Sequence, residues 1–381
     1  MIRSFKIRIY PTKEQEQKMW EHIGACRFLW NWMIDRQHER YAQNEKHLSA
    51  FDMIRLITPL KNDGVNGWLY DISNATLQTV CRDLSKAYEL FFRKVARYPK
   101  YKTKKKTRSS FPARADALFF VDDKLVNIEK VGHVRYKTDF NFPIGKKVTK
   151  FTNPRVKYVL GKWMLCFGTE CENQAPCELS NKRMGIDLGV KELAVVAFED
   201  ESYVFHNINK SKKMRELEKE IKRVSRRISR KYEANKVGDV YIKTNNIKRE
   251  EDKLRKLYMK QSNIRQNHIH QITHLLVSRL PCKVVMEDLN VVGLMKNRHI
   301  SKRVQEQCFF EFRRQMEYKC EWYGIEIVFA NRFFPSSKTC SGCGTVKHDL
   351  KLKDREYQCP HCGLIIDRDY NAAINLMKYI A

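Results

Sequence analysis

Two Cys-x-x-Cys pairs, Cys340-Ser-Gly-Cys343 and Cys359-Pro-His-Cys362, stand 15 residues apart. That is the spacing of a structural zinc template, in which thiolates from two tight turns close a tetrahedral site and leave no open position for chemistry. The chain must therefore bring two turns to one point. This predicts a small metal-stapled knuckle with Cys340, Cys343, Cys359 and Cys362 as zinc ligands. Gly342, Gly344 and Gly363 are expected to supply the turns, and the nearby His348 and His361 are not needed. The remaining cysteines are scattered, mostly in apolar settings, and read as reduced thiols.

Directly behind the knuckle comes Asp367-Arg-Asp369-Tyr-Asn371-Ala-Ala-Ile-Asn375, predicted to open a final helix near Asn371. Two more acids end apolar runs upstream. Asp187 follows Met184-Gly-Ile186, with a return strand predicted at Leu193–Ala197, and Glu287 follows Lys283–Met286, whose apolar continuity suits a central strand buried on both faces. Alone, such an acid is usually a turn former or a helix cap. Three at element ends have a chemical use, because carboxylates hold hard divalent cations such as Mg²⁺, and two such ions serve phosphodiester hydrolysis. Asp288 should point away from Glu287, since adjacent strand residues face opposite sides. Asp367 and Asp369 share a parity, so spacing does not choose between them.

Lys plus Arg number 73 against 44 Asp plus Glu, a formal charge of +29. A polyanion is the natural partner, nucleic acid first. No apolar run approaches the ~18 residues of a spanning helix, and the opening residues lack a signal-peptide core, so a soluble cytoplasmic, nucleoid-associated protein is expected, with no membrane partner. No P-loop or dinucleotide fingerprint implies a nucleotide cofactor. Between Phe91 and Ser110 lie nine Lys or Arg and no acid. Lys100, Lys102, Lys104, Lys105, Lys106 and Arg108 are candidate phosphate contacts there, with Tyr98, Tyr101 and Phe111 available to stack on bases. A second basic stretch, Lys210 to Lys231, holds eleven cations and three acids, and offers Arg223, Arg226, Arg227 and Arg230.

Along the chain, residues 2–10 alternate as a strand, and Thr12 with Gln15 makes a capping box before a helix faced by Met19, Ile23, Cys26 and Trp30. Leu77, Val80, Leu84, Tyr88 and Phe91 mark another helix. Short runs broken by Asp122-Asp123, Pro143 and Asn153-Pro154 predict an antiparallel β module over about 116–170, with a hairpin turning at Gly161-Lys162. Residues 171–182 read as a linker. Met214, Leu217, Ile221, Val224 and Ile228, then Leu254, Leu257, Ile264, His268, Ile272 and Leu275, predict a two-helix hairpin turning near Gly238-Asp239.

Together these pieces resemble the TnpB (OrfB-type) family of small bacterial insertion sequences, relatives of type V CRISPR effectors. The likeness rests on Gly185-Ile-Asp187-Leu-Gly189, Glu287-Asp-Leu-Asn290, Pro335-Ser-Ser-Lys-Thr-Cys340, Cys359-Pro-His-Cys362-Gly and Asp367-Arg-Asp369-Tyr-Asn371. The resemblance implies an α+β multidomain protein. An RNase H-like (RuvC) α/β nuclease domain would cover 181–338 and 364–381, with a zinc ribbon inserted at 339–363. A helical recognition lobe would cover 11–110, and a wedge β-barrel 1–10 with 111–180. It implies a guide noncoding RNA, target double-stranded DNA read beside a short flanking motif, and cleavage by Asp187, Glu287 and Asp369 holding Mg²⁺, two ions being expected. It also selects Asp369 over Asp367. The rival readings are an unguided RuvC-type resolvase or transposase, and a nucleic-acid-binding regulator that does not cut.

Overall fold

The computed structural model describes residues 2–104, 108–146, 149–171, 178–351 and 354–380. The chain divides into two compact units, Met1–Glu172 and Asn173–Ala381. Among the described residues no helix is long and apolar enough to cross a membrane.

The first unit opens with β1 (Ile2–Tyr10), whose alternation buries Ile7 and Ile9. α1 (Lys13–Ala42) follows behind the expected capping box, in which Thr12 Oγ1 accepts from the Gln15 amide and Gln15 returns the bond. Helix α4 (Asn74–Phe92), which buries Leu77, Val80, Leu84 and Tyr88, packs onto it, and α2 (Ala50–Arg55), followed by α3 (Ile57–Lys61), packs against α4. The strands β2 (Ser110–Pro112), β3 (Phe119–Phe120), β4 (Leu125–Ile128), β5 (Gly132–Lys137), β6 (Phe151–Val159) and β7 (Lys162–Glu170) join β1 in an antiparallel sheet of order β2-β6-β7-β1-β5-β4-β3. No ladder among the described residues joins β2 to β3, so the sheet is open where a closed barrel was expected.

Two turn signals resolve differently from their sequence reading. The β6–β7 hairpin turns at Leu160-Gly161, φ +50° and +81°, because Lys162 already pairs with Val159. Asn153-Pro154 is a bulge inside β6, where the register slips between Thr152 and Arg155. Proline lacks the ladder N–H, and a bulge tolerates that.

The second unit is a five-stranded mixed sheet covered on both faces. Its strands are β8 (Ser180–Leu188), β9 (Glu192–Ala197) and β10 (Ser202–His206), then β13 (Pro281–Glu287) and β14 (Glu326–Ala330), in order β10-β9-β8-β13-β14. β8 pairs antiparallel with β9 and parallel with β13, and β13 pairs parallel with β14. β8 begins inside the expected linker, of which residues 172–177 lie outside the described residues. Between β10 and β13 run α5 (Lys212–Ala234), a small ribbon of β11 (Lys236–Val237) and β12 (Val240–Tyr241), and α6 (Asn245–Val277). The helical hairpin is as expected, with Met214, Leu217, Ile221 and Val224 buried against Leu257. Toward its end α6 buries Ile272, as expected, together with Ile269 and Leu276, whereas Leu275, the last residue of the expected stripe, is 39% exposed. After β13 come α7 (Val291–Lys296), α8 (Ser301–Gln307) and α9 (Phe309–Tyr323), and after β14 the ribbon β15 (Glu356–Gln358) and β16 (Ile365–Asp367), which runs directly into α10 (Arg368–Met377).

The period of two along a strand sorts the sheet's faces. Met184, Ile186, Leu188, Val284 and Met286 pack with Ile272, Leu276, Phe312 and Met316 of α6 and α9. Val195 and Ala197 pack with Ala373, and Val285 with Leu376, both on α10. Gly185 belongs to that second face. A Cβ there would lie 2.0 Å from the Ala373 carbonyl and 2.3 Å from the Met377 amide. Glycine is what lets α10 lie directly on β8.

Candidate acidic site and metal centre

Parity that assigns Gly185 and Val285 to the α10 face assigns Asp187 and Glu287 to it as well. Ile186 pairs with Met286 in parallel register, so the two acids leave the carboxyl ends of adjacent central strands. α10 brings Asp369 to the same place, in its first turn, where a negative charge suits the helix N-terminus. The structure thus gathers Asp187, Glu287 and Asp369 from segments about a hundred residues apart.

Electrostatics register the convergence. The Asp187 carboxyl is held well above the usual range, first by burial, then by repulsion from Glu287 and Asp369, with Arg368 opposing. Burial also raises Glu287, against the Ser336 hydroxyl that donates to it at 2.5 Å, and Asp369 raises it further. Asp369 is held by Arg368, Nη2 to Oδ1 at 3.1 Å, and more loosely by Arg355 at 3.8 Å. The set is all-oxygen and hard, and its members repel one another, which fits a divalent cation such as Mg²⁺.

The neighbouring acids have other work. Asp367 caps α10, its carboxylate accepting from the Asp369 and Tyr370 amides at 2.9 and 3.0 Å. Asp288 accepts from Arg313 at 2.8 Å and Arg332 at 2.6 Å, which hold its carboxyl below the usual range.

Sequence reasoning gave no role to three residues that build this site. Ser336 orients Glu287. Asn375 Nδ2 donates to the Ser336 and Thr339 carbonyls at 2.7 and 2.6 Å, and Asn371 joins the Thr339 carbonyl and the Ser341 amide. Both asparagines are buried, and their i, i+4 spacing on a helix was the available signal. They fasten α10 to the segment that enters the knuckle.

The four cysteines converge as the spacing required. Cys340 and Cys362 Sγ are 3.6 Å apart, and Cys343 and Cys359 Sγ 3.5 Å. A disulfide would need ~2.05 Å, whereas tetrahedral sulfurs at ~2.3 Å from zinc stand roughly 3.8 Å apart. The two turns share one design: Cys340 and Cys359 donate backbone N–H to the carbonyls of Thr345 and Leu364, and Gly344 and Gly363 donate back. Only those two glycines have positive φ, +77° and +74°, so Gly342 is not required for a turn. The Thr345 hydroxyl and amide draw the Cys343 thiol down to about 5, while Cys362, despite the Leu364 amide, is pushed up to about 12 by the neighbouring sulfurs. A bound dication ends such competition for anionic charge. The cluster suits structural zinc. Cys340→Ser is expected to lower bound zinc below one per chain by atomic absorption and to depress the melting temperature, since structural zinc contributes ~10–16 kcal/mol in small zinc domains.

The basic candidates divide. Lys100, Lys104 and Arg108 are exposed, as are Arg223, Arg226 and Arg230 on α5, while Lys105 and Lys106 lie outside the described residues. Lys102 is different: its ammonium sits 3.2 Å from the centroid of the Trp30 ring, its amide donates to Asn31, and burial pulls it down to about 8. It pins the segment to α1. Arg227 is paired with Glu250 at 3.3 Å. Phe111 is fully buried, a core residue unable to stack on bases, and Tyr101 donates to Asp35 at 2.5 Å.

Three family models match the chain: a "Helix-turn-helix domain" over residues 1–46, a "Probable transposase" over 167–298 and the "Cas12f1-like, TNB domain" over 309–376. Despite the first description, residues 2–42 here form one strand and one unbroken helix. A Streptomyces pristinaespiralis protein named "Putative RNA-guided DNA endonuclease" is 29% identical over 98% of this chain and 88% of its own length. Escherichia coli K12 InsQ, which carries the same description, is 27% identical over 99% and 92%. Among solved structures, a chain of the Cas12f1–sgRNA–target DNA complex superposes with a TM-score of 0.54 at 14% identity, covering 99% of this chain and 98% of that one. The mini-RNA-guided endonuclease CRISPR-Cas_phi3 gives 0.51 at 10%, covering 99% and 92%. Fold and sites define the class, a mixed α+β multidomain protein of Cas12f-like fold with a four-cysteine TNB region. Within it, this chain belongs to the TnpB family, the OrfB type of IS605 elements.

Proposed function

We propose that the chain is an RNA-guided, metal-dependent DNA endonuclease that cuts target DNA beside a short flanking motif. The observation that carries this is the meeting of Asp187, Glu287 and Asp369 at the carboxyl ends of β8 and β13, the position where open α/β sheets bind ligands. The names of the relatives support the guided form of the activity. The β10-β9-β8-β13-β14 order, an antiparallel hairpin extended by parallel strands, supports an RNase H-like RuvC domain over 181–338 and 364–381 around a zinc ribbon at 339–363. Residues 11–110 would be the recognition lobe, and 1–10 with 111–180 the wedge.

In this reading Asp187, Glu287 and Asp369 hold Mg²⁺. When bound, a pair of such ions activates water and stabilises the leaving 3′-oxygen. Ser336 fixes the Glu287 carboxylate, Asp367 sets the start of α10, and Arg368 keeps Asp369 from turning away while the site is charged only with carboxylates. The exposed cations Lys100, Lys104, Arg108, Arg223, Arg226 and Arg230 contact phosphates, and base pairing with the guide supplies sequence recognition. Ser336→Ala is expected to slow cleavage by ~10–100-fold, the usual cost of losing a residue that orients a metal ligand. Single-turnover rates on a matched DNA check it, and an unchanged rate sinks the role.

The test of the whole reading is to purify the chain with the RNA that accompanies it, sequence that RNA, and offer a matched DNA with Mg²⁺. A discrete RNA with a constant scaffold and a variable end, and cutting abolished by RNase before assembly, are expected. Cutting undiminished by RNase would leave an unguided nuclease of the same fold. No cutting under any metal would leave a binding protein.

A further inference from the structure

Asp187 and Glu287 lie just past the last rung that joins their strands. The parallel ladder between β8 and β13 ends with the pair Ile186–Met286, one residue short of both acids. Beyond it Asp187 pairs with Val195 of β9, and Glu287 with Ala330 of β14. Each acid is tied to its outer neighbour, and among the described residues no rung fixes one against the other. Carboxylates that share a cation need their separation held to about 0.5 Å.

Gln307, the last residue of α8, spans the gap. It is 2% exposed, and its Nε2 donates to the carbonyls of Gly189 and Val190, at 3.0 Å each. Those carbonyls belong to the turn between β8 and β9, two and three residues after Asp187. A side-chain amide nitrogen has two N–H groups, and both are used here. Asn207 adds a second donor to the Val190 carbonyl at 3.0 Å, and Lys210 Nζ donates to the Lys191 carbonyl at 2.6 Å. α8 itself lies on the connection that leaves Glu287 and returns as β14. Gln307 thus joins the turn behind Asp187 to the segment that follows Glu287.

The backbone is bent to place it. Cys308, at φ +54° and ψ +41°, is both the end of α8 and the start of α9. The left-handed region is strained for a residue other than glycine. No glycine or proline lies between Ser301 and Tyr323, so nothing local forbids one unbroken helix. The break is held from outside. Arg265 of α6 pairs with Glu306 at 3.3 Å and donates to Asn209 Oδ1 at 2.7 Å, and Asn209 donates to the Glu306 carbonyl at 3.0 Å. Strain that its surroundings maintain, next to a chemical site, calls for a role for the residue it aims.

We propose that Gln307 is a positioning residue of the acidic site: aimed by the left-handed break at Cys308, its amide stands in for the missing rung between β8 and β13 and sets Asp187 against Glu287 for a divalent cation. The role rests on the nuclease reading, in which these carboxylates share Mg²⁺. Gln307 acts through the β8–β9 turn and not on a carboxylate.

The test titrates Mg²⁺ against the melting temperature of the full-length chain. The rise that Asp187→Ala lacks reports this site. Gln307→Met keeps the length of the side chain and removes both donors. It is expected to need roughly tenfold more Mg²⁺ for the same rise, the lower end of what loss of an outer support costs a metal site. A merely structural loss would lower the melting temperature at every Mg²⁺ concentration and leave that requirement in place. Cys308→Val, whose branched side chain resists the left-handed conformation, should raise the requirement with Gln307 intact. Cys308→Gly adopts that conformation freely and should keep the parent requirement. The Cys308 pair decides the matter if Gln307→Met does not fold. A parent requirement in Gln307→Met or in Cys308→Val overturns the role. Cutting of a matched DNA is scored separately. A requirement that moves as expected, in a chain whose parent does not cut, removes the nuclease reading and leaves a positioned cation site. A rise as large in Asp187→Ala as in the parent removes the site and the role together.

Discussion

Asp187→Ala is expected to reduce guided DNA cleavage by more than ~10³-fold while leaving binding of RNA and DNA near the parent value. One well-placed electrostatic stabiliser is worth ~10²–10³ in rate, and Asp187 stands at the centre of the group, repelled by both Glu287 and Asp369. The same repulsion gives a readout independent of activity. A carboxyl whose folded pKa lies above its unfolded value favours folding when protonated, and that contribution is lost as pH rises through the folded pKa. At neutral pH Asp187 and Glu287 therefore cost stability, and a divalent cation offsets the cost. Mg²⁺ should raise the melting temperature of the parent and raise it much less in Asp187→Ala. Equal shifts in both would mean that the ion binds elsewhere, and cleavage at the parent rate would remove Asp187 from the chemistry.

Gly185→Ala is expected to be the most damaging single-methyl change in the second unit. Its Cβ would meet backbone, the Ala373 carbonyl and the Met377 amide, and not the yielding end of a side chain. Either α10 lifts from β8 or the strand bends, so the cost should reach or exceed ~3 kcal/mol, the top of the usual overpacking range. For a unit of this size that is a fall of about 6–12 °C in melting temperature. Because α10 carries Asp369, cleavage should fall with it, and Mg²⁺ should stabilise the variant less than the parent. A variant that melts with the parent would mean that the seam between β8 and α10 has room the geometry denies.

The acidic site was largely legible because its logic is periodic. Asp187 and Glu287 each end an apolar run, and a period of two puts them on the same face once the strands lie side by side in parallel register. Asp369 was not separable from Asp367 by spacing. The resemblance selected Asp369, and the structure makes Asp367 the cap of α10 with Asp369 inside its first turn. Ser336 was invisible for a plain reason: a serine in a loop has no period, and only the fold says which acid it meets. The cysteine spacing constrained its own geometry fully, yet it overassigned Gly342, because a glycine in a turn motif does not reveal which φ it adopts. Composition served least well in the basic segment. Lys102 and Phe111 look like a cation and a ring offered to nucleic acid, and both are drawn inward, one onto Trp30 and the other into the core. Charge counts cannot distinguish a lysine facing solvent from one laid on an indole.

The order of the segments has a consequence for how the protein is made. Asp187 leaves the ribosome about 180 residues before Asp369. At ~5–20 residues per second the interval is roughly 10–35 s. During that time β8 and β13 can pair, but the face that α10 covers is bare and the third acid does not yet exist. Nascent and prematurely terminated chains therefore carry two acids without the third.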